Sequence, residues 1–83
     1  PPSGELSLSV NGYKVKGRQK TDLSWSGAAS TDVEIFRDGS RIATTRNSGA
    51  YTDNIDNRGG GSYVYRVCEA GTTTCSSDSV VQF

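Results

Sequence analysis

The chain reads as an all-β protein, an immunoglobulin-like antiparallel β-sandwich of about seven short strands. Three observations predict this. Apolar and polar residues alternate in short runs, as in LSLSV at 6–10, LSW at 23–25 and YVYRV at 63–67, which is the period of a strand with one buried face. Pairs such as Asn11-Gly12 and Asp38-Gly39 punctuate these runs, at turn intervals of about 8–12 residues that suit a sandwich. The apolar residues are mostly β-branched or aromatic, and serine, threonine and glycine are abundant. That mixture favours strands and tight turns over helices.

Taken in order, residues 1–4 (Pro1-Pro2-Ser3-Gly4) have linker composition, and the domain is placed at 5–83. The chain is expected to be a piece of a larger precursor. Leu6, Leu8 and Val10 share one face of the first strand. Past Asn11-Gly12 the apolar positions resume at Tyr13 and Val15 with their parity switched. A bulge or kink at Asn11-Gly12 is therefore expected, returning Val15 to the core. Gly17 to Lys20 is read as the turn. Leu23 and Trp25 then face inward from the second strand, with Asp22 and Ser26 outside.

Val33 and Ile35 form the inner face of VEIFR at 33–37. Asp38-Gly39 suits a type I′ turn, whose central residues both need positive φ. Such a turn sets Ile35 against Ile42 inside and Phe36 against Arg41 outside. Asn47 to Ala50 turns the chain into a short strand, Tyr51 to Ile55, with Ile55 in the core. NRGGG at 57–61 is expected to be irregular. Tyr63, Tyr65 and Val67 complete the core from the following strand, and the Tyr63 hydroxyl requires a backbone acceptor.

Six residues separate Cys68 from Cys75. A four-residue loop at Ala70–Thr73 sets them directly opposite on adjacent strands, and a disulfide is expected. Zinc lacks partners, because the chain has no histidine and no third cysteine. The bridge implies an oxidising compartment. It also matters to stability, since a chain this short buries only about 60–65% of its unfolded surface and its hydrophobic fraction is 33%. The hairpin carries an internal conflict. With Val67 inside, Cys68 and Cys75 lie outside, and regular alternation then buries Val80 and exposes Val81 and Phe83. A kink within Ser76–Ser79 reverses this and buries two large side chains, so the kink is expected.

Catalysis is not expected. Without histidine there is no Ser-His-Asp or Cys-His arrangement, no serine sits in a Gly-x-Ser-x-Gly elbow, and no pattern pairs two carboxylates across a cleft. Asp22, Asp32, Asp38 and Asp78 read as exposed strand or turn residues. No cofactor is expected. Nine basic residues balance nine acidic ones, which argues against nucleic-acid binding. No apolar run approaches the roughly 18 residues of a membrane span.

Lys14, Lys16, Arg18 and Lys20 recur at every second residue. They are a candidate binding surface for a polysaccharide or cell wall if they share a face, although a solvated face that discourages edge pairing explains them more simply. Asp53, Asn54, Asp56 and Asn57 offer oxygens, but their spacing does not match the EF-hand series and turn formation accounts for them. Tyr13, Phe36 and Tyr51 are expected outside or at the rim, Phe36 being the second candidate for ligand contact. Trp25 is expected in the core.

These runs together resemble the fibronectin type III family in its bacterial secreted form. LSW at 23–25 resembles the family's strand B with its core tryptophan, and VEIFRDG at 33–39 with IATT at 42–45 resembles its C–C′ hairpin. YTDNI at 51–55 resembles strand E, and YVYRV at 63–67 resembles strand F with Tyr63 at the tyrosine-corner position. The resemblance runs from Leu6 to Phe83 and implies strands A, B and E packed against C, C′, F and G. Two features depart from it. The family usually lacks disulfides, and the integrin-binding Arg-Gly-Asp of some animal relatives is absent, Arg37-Asp38-Gly39 being a turn with another order.

Bacterial domains of this kind with a cysteine-closed final hairpin are similar to C-terminal appendages of secreted hydrolases, proteases especially. The resemblance thus implies an extracellular, monomeric accessory domain. Its partners would be the catalytic domain of the same polypeptide and an insoluble protein or polysaccharide substrate. A carbohydrate- or cell-surface-binding module and an adhesion or receptor ectodomain are the alternatives.

Overall fold

Strand alternation, hairpin turns and one covalent staple build the molecule. The computed structural model describes residues 6–72 and 74–83; the linker expected at 1–4 lies outside the described residues, as do Glu5 and Thr73. The strands are β1 (Ser7–Val15), β2 (Arg18–Ser26), β3 (Asp32–Arg37), β4 (Ser40–Arg46), β5 (Ala50–Arg58), β6 (Ser62–Glu69) and β7 (Ser79–Gln82). They form two antiparallel sheets with strand orders β1-β2-β5 and β4-β3-β6-β7, stacked as a β-sandwich.

Leu23, Trp25, Val33, Ile35, Tyr65 and Val67 are buried between the sheets together with Leu6 and Val81. Leu8, Val10, Ile42, Tyr51, Ile55, Tyr63 and Phe83 are half-buried against them. Val15 is not part of this core; it is 44% exposed. The expected bulge at Asn11-Gly12 is absent, because β1 pairs with β2 in unbroken register from Ser7–Ser26 to Val15–Arg18. Gly12 takes the inward position and Tyr13 and Val15 face out. The physical reason lies across the sandwich: a Cβ at Gly12 would come within 2.3 Å of Val81 Cγ2 and 3.1 Å of Phe83 Cζ. The side chains that fill that part of the core come from β7.

The first turn is Lys16-Gly17, with φ of 52° and 80°, one step earlier than the Gly17–Lys20 segment expected. Arg18 to Lys20 are therefore strand residues. Asp38-Gly39 forms its turn with φ of 53° and 84°, both positive as a type I′ turn requires. Phe36 pairs with Arg41 as expected, but Ile35 pairs with Ala43 and not with Ile42, because the register shifts between Ile35 and Phe36. That extra residue lets both Ile42 and Ala43 touch the core. Asp38 also clips the turn to β6: its backbone N–H donates to Val64 O at 2.8 Å and its Oδ1 accepts from Val64 N at 2.9 Å.

β5 runs on to Arg58, so Asn57 and Arg58 are strand residues and not part of an irregular NRGGG. Its register against β2 jumps between Arg18 and Lys20, where Asp56 adopts φ of 63° as the bulged residue. Tyr51 pairs with Leu23 and points inward, against the expectation of a rim position.

The closing hairpin kinks within Ser76–Ser79. Cys68 pairs with Cys75, while Tyr65 pairs with Ser79 and Tyr63 with Val81. Between these pairs the β7 side carries one residue more than β6, which reverses its parity. Val81 is consequently buried and Val80 is 56% exposed. Ser76 makes the kink cheap. It is buried, its N–H donates to Val67 O at 2.7 Å, and its hydroxyl accepts from Val67 N at 3.1 Å. No ladder group of Val67 is orphaned. The Cys68–Cys75 disulfide, with Cα atoms 3.9 Å apart, closes the hairpin. No helix is long and apolar enough to cross a membrane among the described residues.

Candidate functional site

Three groups of polar side chains stand out, one between the sheets and one on each outer face. The interior group is built by parity. Gln19 and Thr21 precede Leu23 and Trp25 on the inward face of β2, and Asp53 lies between Tyr51 and Ile55 on the inward face of β5. All three are buried. Asp53 is therefore a buried strand residue and not a turn residue as expected from its neighbours. Its Oδ2 accepts from the Tyr65 hydroxyl at 2.6 Å and from Arg37 Nη1 at 2.7 Å. Tyr65 and Arg37 belong to the opposite sheet, so the carboxylate clasps the two sheets together.

Burial, followed by the bond to Asp53, pushes the Tyr65 phenol well above its ordinary range. Burial is the largest single influence on Arg37 and works against its charge, but the hydrogen bond and the negative charge of Asp53, with a smaller contribution from Tyr65, together outweigh it and hold the guanidinium more firmly protonated. Beside this clasp, the Tyr63 hydroxyl donates to Gln19 Oε1 at 2.7 Å, a side-chain acceptor where a backbone one was expected. Gln19 Nε2 in turn donates to Gly59 O at 2.9 Å and so relays the tyrosine's anchor to the glycine loop. Trp25 is held in a similar way, its Nε1 donating to Asn47 Oδ1 at 2.9 Å while Asn47 Nδ2 secures Ala28 O and Ser30 O. Asp53, Tyr65, Arg37, Gln19 and Tyr63 thus bind one another across the interior, while the buried Thr21 Oγ1 has no hydrogen-bond partner among the described residues.

The outer face of β4-β3-β6-β7 carries Phe36. The Arg66 guanidinium lies 5.6 Å from its ring centroid, Arg41 pairs with Glu34 at 3.2 Å, and Val80 pairs with Val64. The result is a small apolar patch rimmed by arginines. Sequence reasoning selected Phe36 but not Arg66 or Val80; the latter followed only from the kink.

No family model, curated protein or solved structure matches the chain. What each face can hold follows from its own side chains.

The outer face of β1-β2-β5 disperses the basic set. Lys14 pairs with Gln19 and Tyr13 with Lys20, so Lys14 and Lys20 point to opposite sides of the sheet, and Lys16 sits in the turn. Arg18 and Lys20 share the outer face, but Lys20 Nζ is already bound to Asp56 Oδ1 at 2.7 Å and Asn54 Oδ1 at 3.0 Å. The four do not form one basic surface. The Lys20 bond holds the Asp56 carboxyl below the usual carboxylate range. An ammonium group thus occupies the position that two of the four suggested calcium ligands define, and Asp53 points away from them.

In place of a basic stripe this face is a grid of small polar side chains in cross-strand rows: Asn11–Asp22–Thr52, Ser9–Ser24–Ala50 and Ser7–Ser26. A depression of about 380 Å³ lies over the first two rows. Asp22 in its lining accepts at Oδ1 from the Tyr13 hydroxyl at 3.0 Å and from Thr52 Oγ1 at 2.8 Å. The Asp22 bond pushes the Tyr13 phenol above its ordinary value. Of these residues the sequence marks Tyr13, Asp22 and Ser26, and those only as outward-facing. The recurrence of serine at positions 7, 9, 24 and 26 was the available signal for the floor.

Proposed function

We propose that the chain is a non-catalytic accessory domain of a secreted bacterial hydrolase, a peptidase in preference to a glycosidase. It would aid the enzyme by spacing, by stabilisation or by weak contact with substrate or surface. The observation that carries this reading is the commitment of the interior chemistry to structure. The buried carboxylate Asp53 is engaged by Tyr65 and Arg37, and with no histidine in the chain a Ser-His-Asp or Cys-His arrangement cannot be assembled. Two further facts support it. The strand partition β1-β2-β5 against β4-β3-β6-β7 is the one that the fibronectin type III resemblance implies, and the Cys68–Cys75 bridge suits an extracellular location.

Incubating the domain with insoluble collagen, chitin, cellulose and peptidoglycan tests both halves of the proposal. Absence of turnover on all four, with retention on one or none of them, is expected. Release of soluble fragments by the domain itself overturns it.

A further inference from the structure

We propose that the outer face of the β1-β2-β5 sheet is a binding trough for a neutral, hydroxyl-rich glycan laid along the strands. The inference rests on the accessory-domain reading and names the ligand class for its contact with substrate or surface.

The shape comes from side-chain size. Serines and Ala50 pave the floor at the rows Ser9–Ser24–Ala50 and Ser7–Ser26. The depression of about 380 Å³ over the upper rows therefore continues into a second of about 220 Å³ bounded by Ser7, Ser9, Ser24 and Ser26. From Ser7 to Tyr13 the strand rises by roughly 20 Å, enough for several pyranose rings in line.

The chemistry comes from Tyr13 and Asp22. Tyr13 pairs with Lys20, yet its hydroxyl reaches Asp22 one row further along. The side chain therefore reaches toward the Asp22 end of the trough and brings there an aromatic ring, a group of the sort on which sugar C–H groups pack. Asp22 Oδ1 takes the bonds from both Tyr13 and Thr52. The carboxylate is fixed in orientation, and Oδ2 is left to accept from a sugar hydroxyl. Asn11 beside it supplies an amide donor and acceptor.

Other ligand classes fit less well. Asp22 is the one charge in these rows, and the nearest cation, Lys20, is bound to Asp56 and Asn54. A polyanion would be repelled. An apolar peptide finds no apolar outward side chain on the serine rows other than the methyl of Ala50.

The trough is open to solvent, so binding is expected with Kd on the order of 1 mM. Amide NMR spectra of the domain, titrated to about 10 mM with cellohexaose, xylohexaose, mannohexaose and chitohexaose in turn, read this range. The expected result is saturable shifts at Ser9, Asn11, Asp22, Ser24 and Thr52 with at least one probe. Tyr13→Ala should weaken that binding at least about ten-fold. Tyr13→Phe, which keeps the ring and loses its anchor to Asp22, should fall between it and the native protein. Both variants alter an outward side chain, and an unchanged Tm shows that the fold is intact.

Lack of shifts with all four probes overturns the proposal, as does binding that Tyr13→Ala leaves unchanged. Shifts centred on Phe36 and Arg66 overturn the trough and leave the accessory-domain reading standing.

Discussion

Gly12 is the position where one added methyl group tests the packing most sharply. Its Cβ would sit 2.3 Å from Val81 Cγ2 and just over 3 Å from two atoms of the Phe83 ring, distances that no rotamer change at residue 12 relieves. Overpacking of this kind costs typically about 1–3 kcal/mol. Alanine recovers about 0.5–1 kcal/mol through the lower backbone entropy of its unfolded chain. The difference predicts a net loss of about 1–2 kcal/mol for Gly12→Ala, or a Tm lower by about 5–15 °C in a domain of this size. Thermal unfolding followed by circular dichroism measures it. The Val81→Ala background supplies the control: removing Cγ2 vacates the space, so Gly12→Ala added to it should be neutral or stabilising. A Gly12→Ala protein with unchanged Tm would refute the placement of β7 over β1.

Three further outcomes are expected. Native and denatured, unreduced protein should show no thiol to a labelling reagent, and replacing both Cys68 and Cys75 by alanine should cost about 2.5 kcal/mol by the loop-entropy argument; two labelled cysteines would contradict the bridge. Asp53→Ala strands the Tyr65 hydroxyl and the Arg37 charge, so it should cost about 3 kcal/mol in urea titration, whereas Asp22→Ala on the outer face should cost less than about 1 kcal/mol. Because the Tyr65 phenol is raised by burial and by Asp53, its protonated form contributes stability that is intact below pH of about 10, the ordinary tyrosine value, and lost as the pH rises beyond it. The urea midpoint should therefore fall in alkali, and Tyr65→Phe should flatten that fall.

Strand alternation makes most of the sandwich readable in the sequence. Trp25, Val33, Ile35, Tyr65 and Val67 were assigned inward from period-2 runs, and the kink before β7 followed from the conflict between Cys75 and Val81. What alternation misjudged was β1. There Val15 reads as a core residue after a bulge, because the sequence of β1 does not say that Val81 and Phe83 occupy the space above Gly12. Long-range packing decided the register, and a local pattern cannot contain it. The buried polar residues were missed for a related reason. Gln19 and Asp53 have the same parity as Leu23 and Ile55, but a polar side chain at an inward position becomes intelligible only when its partner on the other sheet is known.

The surfaces were the least legible part. Lys14, Lys16, Arg18 and Lys20 share a spacing of two, yet the Lys16-Gly17 turn lies in the middle of the run, so parity does not carry across it. Phe36 was placed correctly on the outer face, while Arg66 beside it and Val80 below it depend on the β3–β6 and β6–β7 registers. The serine floor was present in the sequence as four separate residues on two strands. Their meeting follows from the β1–β2 register alone.

Deletion of residues 5–83 from the proposed parent enzyme tests the proposed accessory role most directly. The account predicts that kcat/KM on a small soluble substrate stays within about two-fold, while Tm or the rate on insoluble substrate falls. Loss of turnover on the small substrate by a folded, truncated enzyme would contradict it, since residues of this chain would then take part in the reaction.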